Sequence, residues 1–345
     1  MSTWESVSKL SVTLESGGEN CDIYANGQNR IGVTINVEPT DKNGDPVRVD
    51  PQHLAANLWL IDYVDGSTLN RDGISGWAYS DAANEFTAIP DGSSEGAEAT
   101  IEGGGTGHVS FYVYCSPEVS RKSIGVRVRT DSGVTVNSSQ TGTCHSKVTL
   151  NPRPARTYML NDIDWDCSRT STQDGENTKY VTTYAWNYYL SLKGAANYFV
   201  TFQVRGHFTD SGYAGLFAYN ITPENHKNFY GGYVWHDEPH DSSTGEIVNF
   251  PEGNNWWDFA EIYDRTYPER YLCFTWVHST TGGNGWHIPN GPLEQWEGHF
   301  NPEIIAFDRY GNTGTFWVDG SDITEALNIY DRQGPPFGSP SPGAK

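Results

Sequence analysis

The feature that most constrains the fold of this chain is a series of short alternating apolar segments, each closed by a cluster of turn-forming residues. From Lys9 to Leu150 the segments KLSVTLE, RIGVTINVEP, ANLWLIDYV, EFTAI, HVSFYVYC, IGVRVRT and GVTVNSS alternate with a period close to two. Between them SGGEN, DKNGDP, VDGST, PDGSSEG and EGGGTG supply the Gly, Asn, Asp and Pro that tight reversals need. Ile124, Val126 and Val128 fall on one face of their segment, with Arg127 and Arg129 on the other. Asp131-Ser132-Gly133 then turns the chain back into Val134–Val136. A strand of this kind cannot bury its apolar face alone, so the series predicts an antiparallel β-sandwich. An amphipathic hairpin of a membrane barrel is the weaker reading, because Arg127 and Arg129 leave it too few apolar residues.

At 345 residues the chain is long enough for two domains. Only two Met occur against 37 Gly and 20 Tyr, a balance that favours strands and turns over helices. The formal net charge of −21 argues against nucleic acid and against anionic membrane as partners, since both need a basic face. A neutral glycan or a divalent cation, Ca2+ or Zn2+, is compatible with it. The start, MSTWESVSKL, lacks the basic region and apolar run of a secretory leader, and no stretch has the apolar length of a membrane span. The expectation is a protein that stays in the cytoplasm, is released from it, or is secreted without a cleaved leader. Cys21, Cys115, Cys144, Cys167 and Cys273 include no CxxC pair. Buried free thiols are expected, with a Cys115–Cys144 bridge left open.

Ala25-Asn26-Gly27, the strand Val33–Val37 and the turn Asp41-Lys42-Asn43-Gly44-Asp45-Pro46-Val47 resemble the bacterial immunoglobulin-like repeat of the invasin and intimin type over about residues 24–47. That family pairs an ANG turn, an alternating strand and a D-x-N-G-x-P-V turn at about this spacing. The resemblance implies an immunoglobulin-like sandwich that acts as a spacer or presenting module. Downstream, RVDPQHLAANLWLIDY carries an insertion-like segment where the family would have a short strand, and no functional residue transfers.

Asn151-Pro152-Arg153-Pro154-Ala155-Arg156 reads as a linker, because two prolines remove backbone donors and favour extended neighbours. The expected organisation is a sandwich over 1–150, a linker over 151–157, an aromatic-rich antiparallel β-sandwich or jelly roll over 158–333 and a flexible tail over 334–345. Strands are expected at 180–184, 197–204, 214–219, 232–235, 271–277, 303–307 and 314–318. Asp308–Asn312 would be a hairpin connection and Asp322–Leu327 a helical turn.

Of 12 Trp, only Trp4, Trp59 and Trp77 precede residue 150. The other nine are interleaved with Tyr, Asn and Gly. Trp256, Trp257, Trp286 and Trp296 stand in stretches such as GNNWWDF and GGNGWHIPNGP, beside Asn255 and His287. Indole faces next to amide and imidazole side chains suit a sugar, whose C–H face stacks while its hydroxyls are held by polar groups. The competing reading places these rings in a core. Two clusters could hold a cation. His236, Asp237, His240 and Asp241 lie within six residues, and Asp162, Asp164 and Asp166 would share one face of a strand. A solvated loop and a charged edge strand are the plainer readings of these two.

Reaction signatures are missing: there is no GxSxG elbow, phosphate loop, HExxH or dinucleotide fingerprint. No catalytic residue is assigned. The sequence therefore points to a non-enzymatic binding protein that recognises a glycan or another host-surface molecule, as part of a bacterial adhesin, toxin or phage-like surface assembly. The alternatives are a cell-damaging toxin, insecticidal or pore-forming, and a carbohydrate-active hydrolase drawing a carboxyl pair from Glu252, Asp258, Glu261, Asp264, Glu294 and Glu297.

Overall fold

The structure is a computed structural model that describes residues 3–86, 107–174, 181–194, 196–207, 215–221, 228–235, 246–249, 258–262, 271–281, 297–299, 301–319 and 326–331. It is all-β, as expected, with two stacked-sheet cores. Met1–Arg156 and the turn Arg309–Asn312 form one compact unit, while Thr157–Asp308 and Thr313–Lys345 form the second. Among the described residues no helix is long and apolar enough to cross a membrane.

Among the described residues the first unit contains ten strands: β1 (Ser6–Leu14), β2 (Asn20–Ala25), β3 (Ile31–Thr40), β4 (Leu58–Asp62), β5 (Asn70–Arg71), β6 (Trp77–Ser80), β7 (Gly107–Cys115), β8 (Lys122–Arg129), β9 (Thr135–Asn137) and β10 (Val148–Pro154). One sheet has the order β1-β3-β7-β6-β5; the other has β2-β10-β8-β4, with β9 paired to β8. The alternation read in the sequence is the alternation of burial. Val33, Ile35 and Val37 on β3 and Phe111 and Val113 on β7 share a core with Leu58 and Leu60 on β4 and Ile124, Val126 and Val128 on β8. Each buried side chain of this size contributes roughly 1.5–3 kcal/mol through the apolar area it removes from water. Cys115 ends β7 inside this core, where burial pushes its thiol pKa up to about 12. Cys115 and Cys144 are both free thiols, so they are not bridged to one another.

Turn chemistry accounts for the motifs at Asn26-Gly27 and Asp41–Pro46. Asn26 Oδ1 accepts the backbone N–H groups of Gln28 and Asn29, and Gly27 takes a φ of 75° that side chains disfavour. Asp41 Oδ1 does the same for Asn43 and Asp45, with Gly44 at φ 87°.

Three local readings are corrected. Asn151–Pro154, expected in a linker, belong to β10 and pair in parallel with Asp22–Ala25 of β2. Pairing of β10 to β8 covers only Val148–Leu150, so Pro152 and Pro154 fall where the second ladder has already ended. The insertion-like segment contains a helix, α1 (Pro51–Ala56). Asp50 caps it by accepting from Gln52 and His53, Pro51 sits in its first turn, and Leu54 anchors it in the core. Third, Asp162 does not share a strand face with Asp164. It closes a 3-10 turn, Leu160–Asp162, and its Oδ2 accepts the Met159 N–H at 3.0 Å.

The second unit contains β11 (Thr157–Tyr158), β12 (Ile163–Asp174), β13 (Val181–Leu192), β14 (Phe199–Arg205), β15 (Leu216–Ile221), β16 (Asn228–Val234), β17 (Glu246–Asn249), β18 (Asp258–Ile262), β19 (Leu272–Thr281), β20 (Glu297–His299), β21 (Glu303–Asp308), β22 (Thr313–Asp319) and β23 (Asn328–Tyr330). A sheet β11-β22-β21-β14, with β23 on β22, faces a six-stranded antiparallel sheet, β12-β13-β19-β16-β15-β20. Phe199, Phe202, Ile304, Ala306, Phe316 and Val318 from the first meet Leu190, Leu192, Phe217, Val234, Leu272 and Phe274 from the second. The separate pair β17-β18 lies against β12 and β13. At one edge of this core the buried Asp308 carboxylate accepts from Tyr158 Oη at 2.6 Å and from Asn197 Nδ2 at 2.8 Å, so its charge is held by two donors.

Candidate functional site

Both faces of the six-stranded sheet carry chemistry that a plain sandwich does not need. On the inner face the residues of β19 run Leu272, Phe274, Trp276, His278, and those of β13 run Leu192, Leu190, Tyr188, Trp186, since alternate strand positions share a face. The antiparallel register sets Trp186 opposite Trp276 and Tyr188 opposite Phe274. On β16, Val234 stands opposite Phe274, Gly232 opposite Trp276 and Tyr230 opposite His278.

Burial declines along these rows. Leu190, Leu272, Phe274 and Val234 are fully buried, Trp276 keeps 7% of its surface, and Trp186, Tyr230 and His278 are half-buried. Along these rows the core thus gives way to an aromatic shoulder, in which Trp186 and Tyr230 pack against the core through the buried Trp276. Its rings are organised. The Trp186 and Trp276 centroids are 4.5 Å apart at 45°, Tyr230 stacks on Trp276 at 6.2 Å and 25°, and Tyr230 lies nearly parallel to His278 at 4.4 Å and 9°. Burial lowers the pKa of His278, so at neutral pH the imidazole is uncharged and carries one donor and one acceptor. Large, ordered ring surface beside a neutral polar tip can stack on and hydrogen-bond an amphipathic ligand.

The outer face should be polar and wet. Instead Asn187 and Thr275 are fully buried there, Cys273 with them, and Trp235 at the end of β16 keeps only 2% exposure. The polar atoms are satisfied by a relay across three strands. Trp235 Nε1 donates to Thr275 Oγ1 at 2.6 Å, Thr275 Oγ1 donates to Asn187 Oδ1 at 2.6 Å, and Asn187 Nδ2 donates to Tyr189 Oη at 3.3 Å. Tyr233 packs edge-on against Trp235 at 4.6 Å, and Tyr189 against Tyr271 at 6.4 Å. In such low-dielectric surroundings each bond of the relay is strong, and each would be costly to leave unmade. Its role is to fix β13, β19 and β16 in register beneath the aromatic shoulder.

The sequence-predicted ligand residues Trp256, Trp257, Trp286, Trp296, Asn255 and His287 lie outside the described residues, as do the metal candidates His236, Asp237, His240 and Asp241. Among the described residues no three His, Cys, Asp or Glu converge as metal ligands. Of the carboxyl candidates, Asp258 and Glu261 belong to β18 and Glu297 to β20, whereas Glu252, Asp264 and Glu294 lie outside the description. Sequence reasoning missed Trp186, Tyr230, Trp276 and His278. Their signal was the alternation in YAWNYYL and FTWVH, where aromatic and imidazole side chains replace the aliphatic ones that a core strand would continue with. Comparison with protein-family models and with curated proteins finds no match to this chain.

Proposed function

We propose that this is a two-part recognition protein, in which an immunoglobulin-like first unit presents a carbohydrate-binding second unit and neither part is catalytic. The observation that carries the reading is the ordered ring cluster in which the half-buried Trp186 and Tyr230 pack on the buried Trp276, with the neutral His278 beside Tyr230. Ordered, partly exposed rings can bind the C–H faces of sugars, and the acidic chain disfavours polyanionic ligands.

The immunoglobulin-like assignment is supported by connectivity. Strands β1, β3, β7 and β6 follow the A-B-E-D order, and β4, β8 and β10 the C-F-G order, of that fold. The parallel strand β2 is added beside β10. The turns at Asn26-Gly27 and Asp41–Pro46 are the motifs shared with the invasin and intimin type of repeat, in which such modules act as spacers. A surface assembly of the adhesin kind is the setting that combines both parts.

The test is a broad glycan array probed with the labelled full chain and with Trp186→Ala, which removes a partly exposed ring of the cluster. Specific binding that the variant loses by about tenfold or more, with its near-ultraviolet spectrum otherwise retained, supports the reading. A blank array from folded protein overturns it.

A further inference from the structure

Of the four Asn-Gly pairs in the sequence, Asn26-Gly27 and Asn43-Gly44 lie among the described residues, both in the first unit. Asn followed by Gly is a reactive pairing. Without a Cβ, the glycine nitrogen can approach the preceding carboxamide through backbone angles that other residues disfavour. The two pairs are alike in sequence and opposite in setting.

Asn26 and Gly27 are half-buried. Asn26 Oδ1 accepts from the N–H groups of Gln28 and Asn29 at 2.9 and 2.8 Å, and Gly27 N–H donates to Cys115 O, at the end of β7, at 2.9 Å. Both reacting groups are thus tied to the fold. Asn43, by contrast, is exposed together with Lys42, Gly44, Asp45 and Pro46. Its carboxamide has no hydrogen-bond partner among the described residues, and Gly44 N–H bonds within its own turn, to Asp41 O at 3.0 Å. Opening that turn uncovers nothing buried.

We propose that Asn43 is a site of spontaneous modification, deamidating in the folded protein while Asn26 is protected. The Gly44 nitrogen gives up its proton and bonds to Asn43 Cγ, the Cγ–Nδ2 bond breaks, and ammonia leaves. Water then opens the five-membered imide at either carbonyl and yields aspartate or isoaspartate, with no change of oxidation state. Each event places a new carboxylate between Asp41 and Asp45, and the isoaspartate product adds a methylene to the main chain of the turn. Thr40 bridges Pro46, and Val47 N–H bonds to Pro39 O at 2.9 Å, so the change stays outside the core. None of this depends on the sugar reading.

The experiment is incubation of the full chain at mildly alkaline pH, folded and in parallel unfolded in guanidinium chloride. Peptide mapping by mass spectrometry follows the replacement of amide nitrogen by oxygen at each Asn, and enzymatic methylation of isoaspartate identifies that product. In the folded protein Asn43 should convert about tenfold or more faster than Asn26, because Asn26 and Gly27 must give up at least two bonds to the fold before they react. In the unfolded chain the two rates should converge.

Equal rates in the folded protein, or earlier conversion at Asn26, would overturn the proposal. So would an Asn43 that stays intact when folded and reacts only when unfolded. A rate ratio that persists in guanidinium would place its cause in the flanking residues instead of the fold, and would overturn it too. Every arm is read on the unaltered protein, so no variant has to fold.

Discussion

The two units solve the same problem with different strands. In the first, β3 is one-sided: Ile31, Val33, Ile35 and Val37 are buried, while Gly32, Thr34 and Asn36 between them are half-exposed. In the second, β19 is buried on both faces along its central stretch, Leu272, Phe274 and Trp276 inward and Cys273, Thr275 and Val277 outward. A one-sided strand leaves its polar side chains to water. A two-sided strand must satisfy every polar atom within the protein, and the Trp235–Thr275–Asn187 relay does so here. The comparison separates a scaffold, tolerant on half its positions, from a sheet in which both sets of side chains constrain the aromatic shoulder.

The largest effect should come from Phe274→Ala. Its ring lies within 6 Å of both Trp165 and Phe217 and is fully buried. Removing it forfeits transfer energy and leaves a cavity, for about 3–5 kcal/mol of destabilisation in urea unfolding. A loss below about 1 kcal/mol would mean that the second unit has no tight core at this position.

A paired substitution addresses the comparison directly. Thr275→Val keeps the shape but leaves the Trp235 indole N–H and the Asn187 carbonyl oxygen without their partner, costing about 2–4 kcal/mol. Thr34→Val, on the half-exposed face of β3, should stay within about 0.5 kcal/mol of the parent. Similar losses at the two positions would break the distinction between one-sided and two-sided strands. In the scaffold the sensitive points are turns, and there Gly27→Ala should cost about 1 kcal/mol because its φ of 75° crowds a Cβ.

The one-sided strands were legible in the sequence because alternation and burial coincide there: RIGVTINVEP announces β3 almost to its ends. What escaped detection was either short or non-local. Helix α1 spans only six residues, so its periodicity is unreadable, although Asp50-Pro51 was a usable start signal. The prolines of β10 read as a linker because nothing local reveals a parallel partner more than a hundred residues away. The relay is harder still, since Asn187, Trp235 and Thr275 meet only through strand order. Trp content was a sound guide to the second unit but a poor guide to position. Trp186 and Trp276 sit in alternating strands, where Trp276 is buried and Trp186 only half-buried, a difference that local sequence does not reveal.

The smallest effect is the pH response of the shoulder. Burial holds the pKa of His278 below the ordinary histidine value, while in the unfolded chain it titrates at about 6.5. Between those two values the unfolded chain binds a proton that the folded one refuses, so stability falls as pH drops through that window and is unaffected above it. Urea midpoints measured from pH 7.5 down to 4.5 should therefore decline more steeply in the parent than in His278→Gln, the two curves differing in slope only below about pH 6.5. Parallel curves would mean that water reaches the His278 imidazole freely. In that case the stacking of Tyr230 on His278 would be a loose surface contact, and the shoulder would behave like the exposed faces of the first unit instead of like a preformed binding surface.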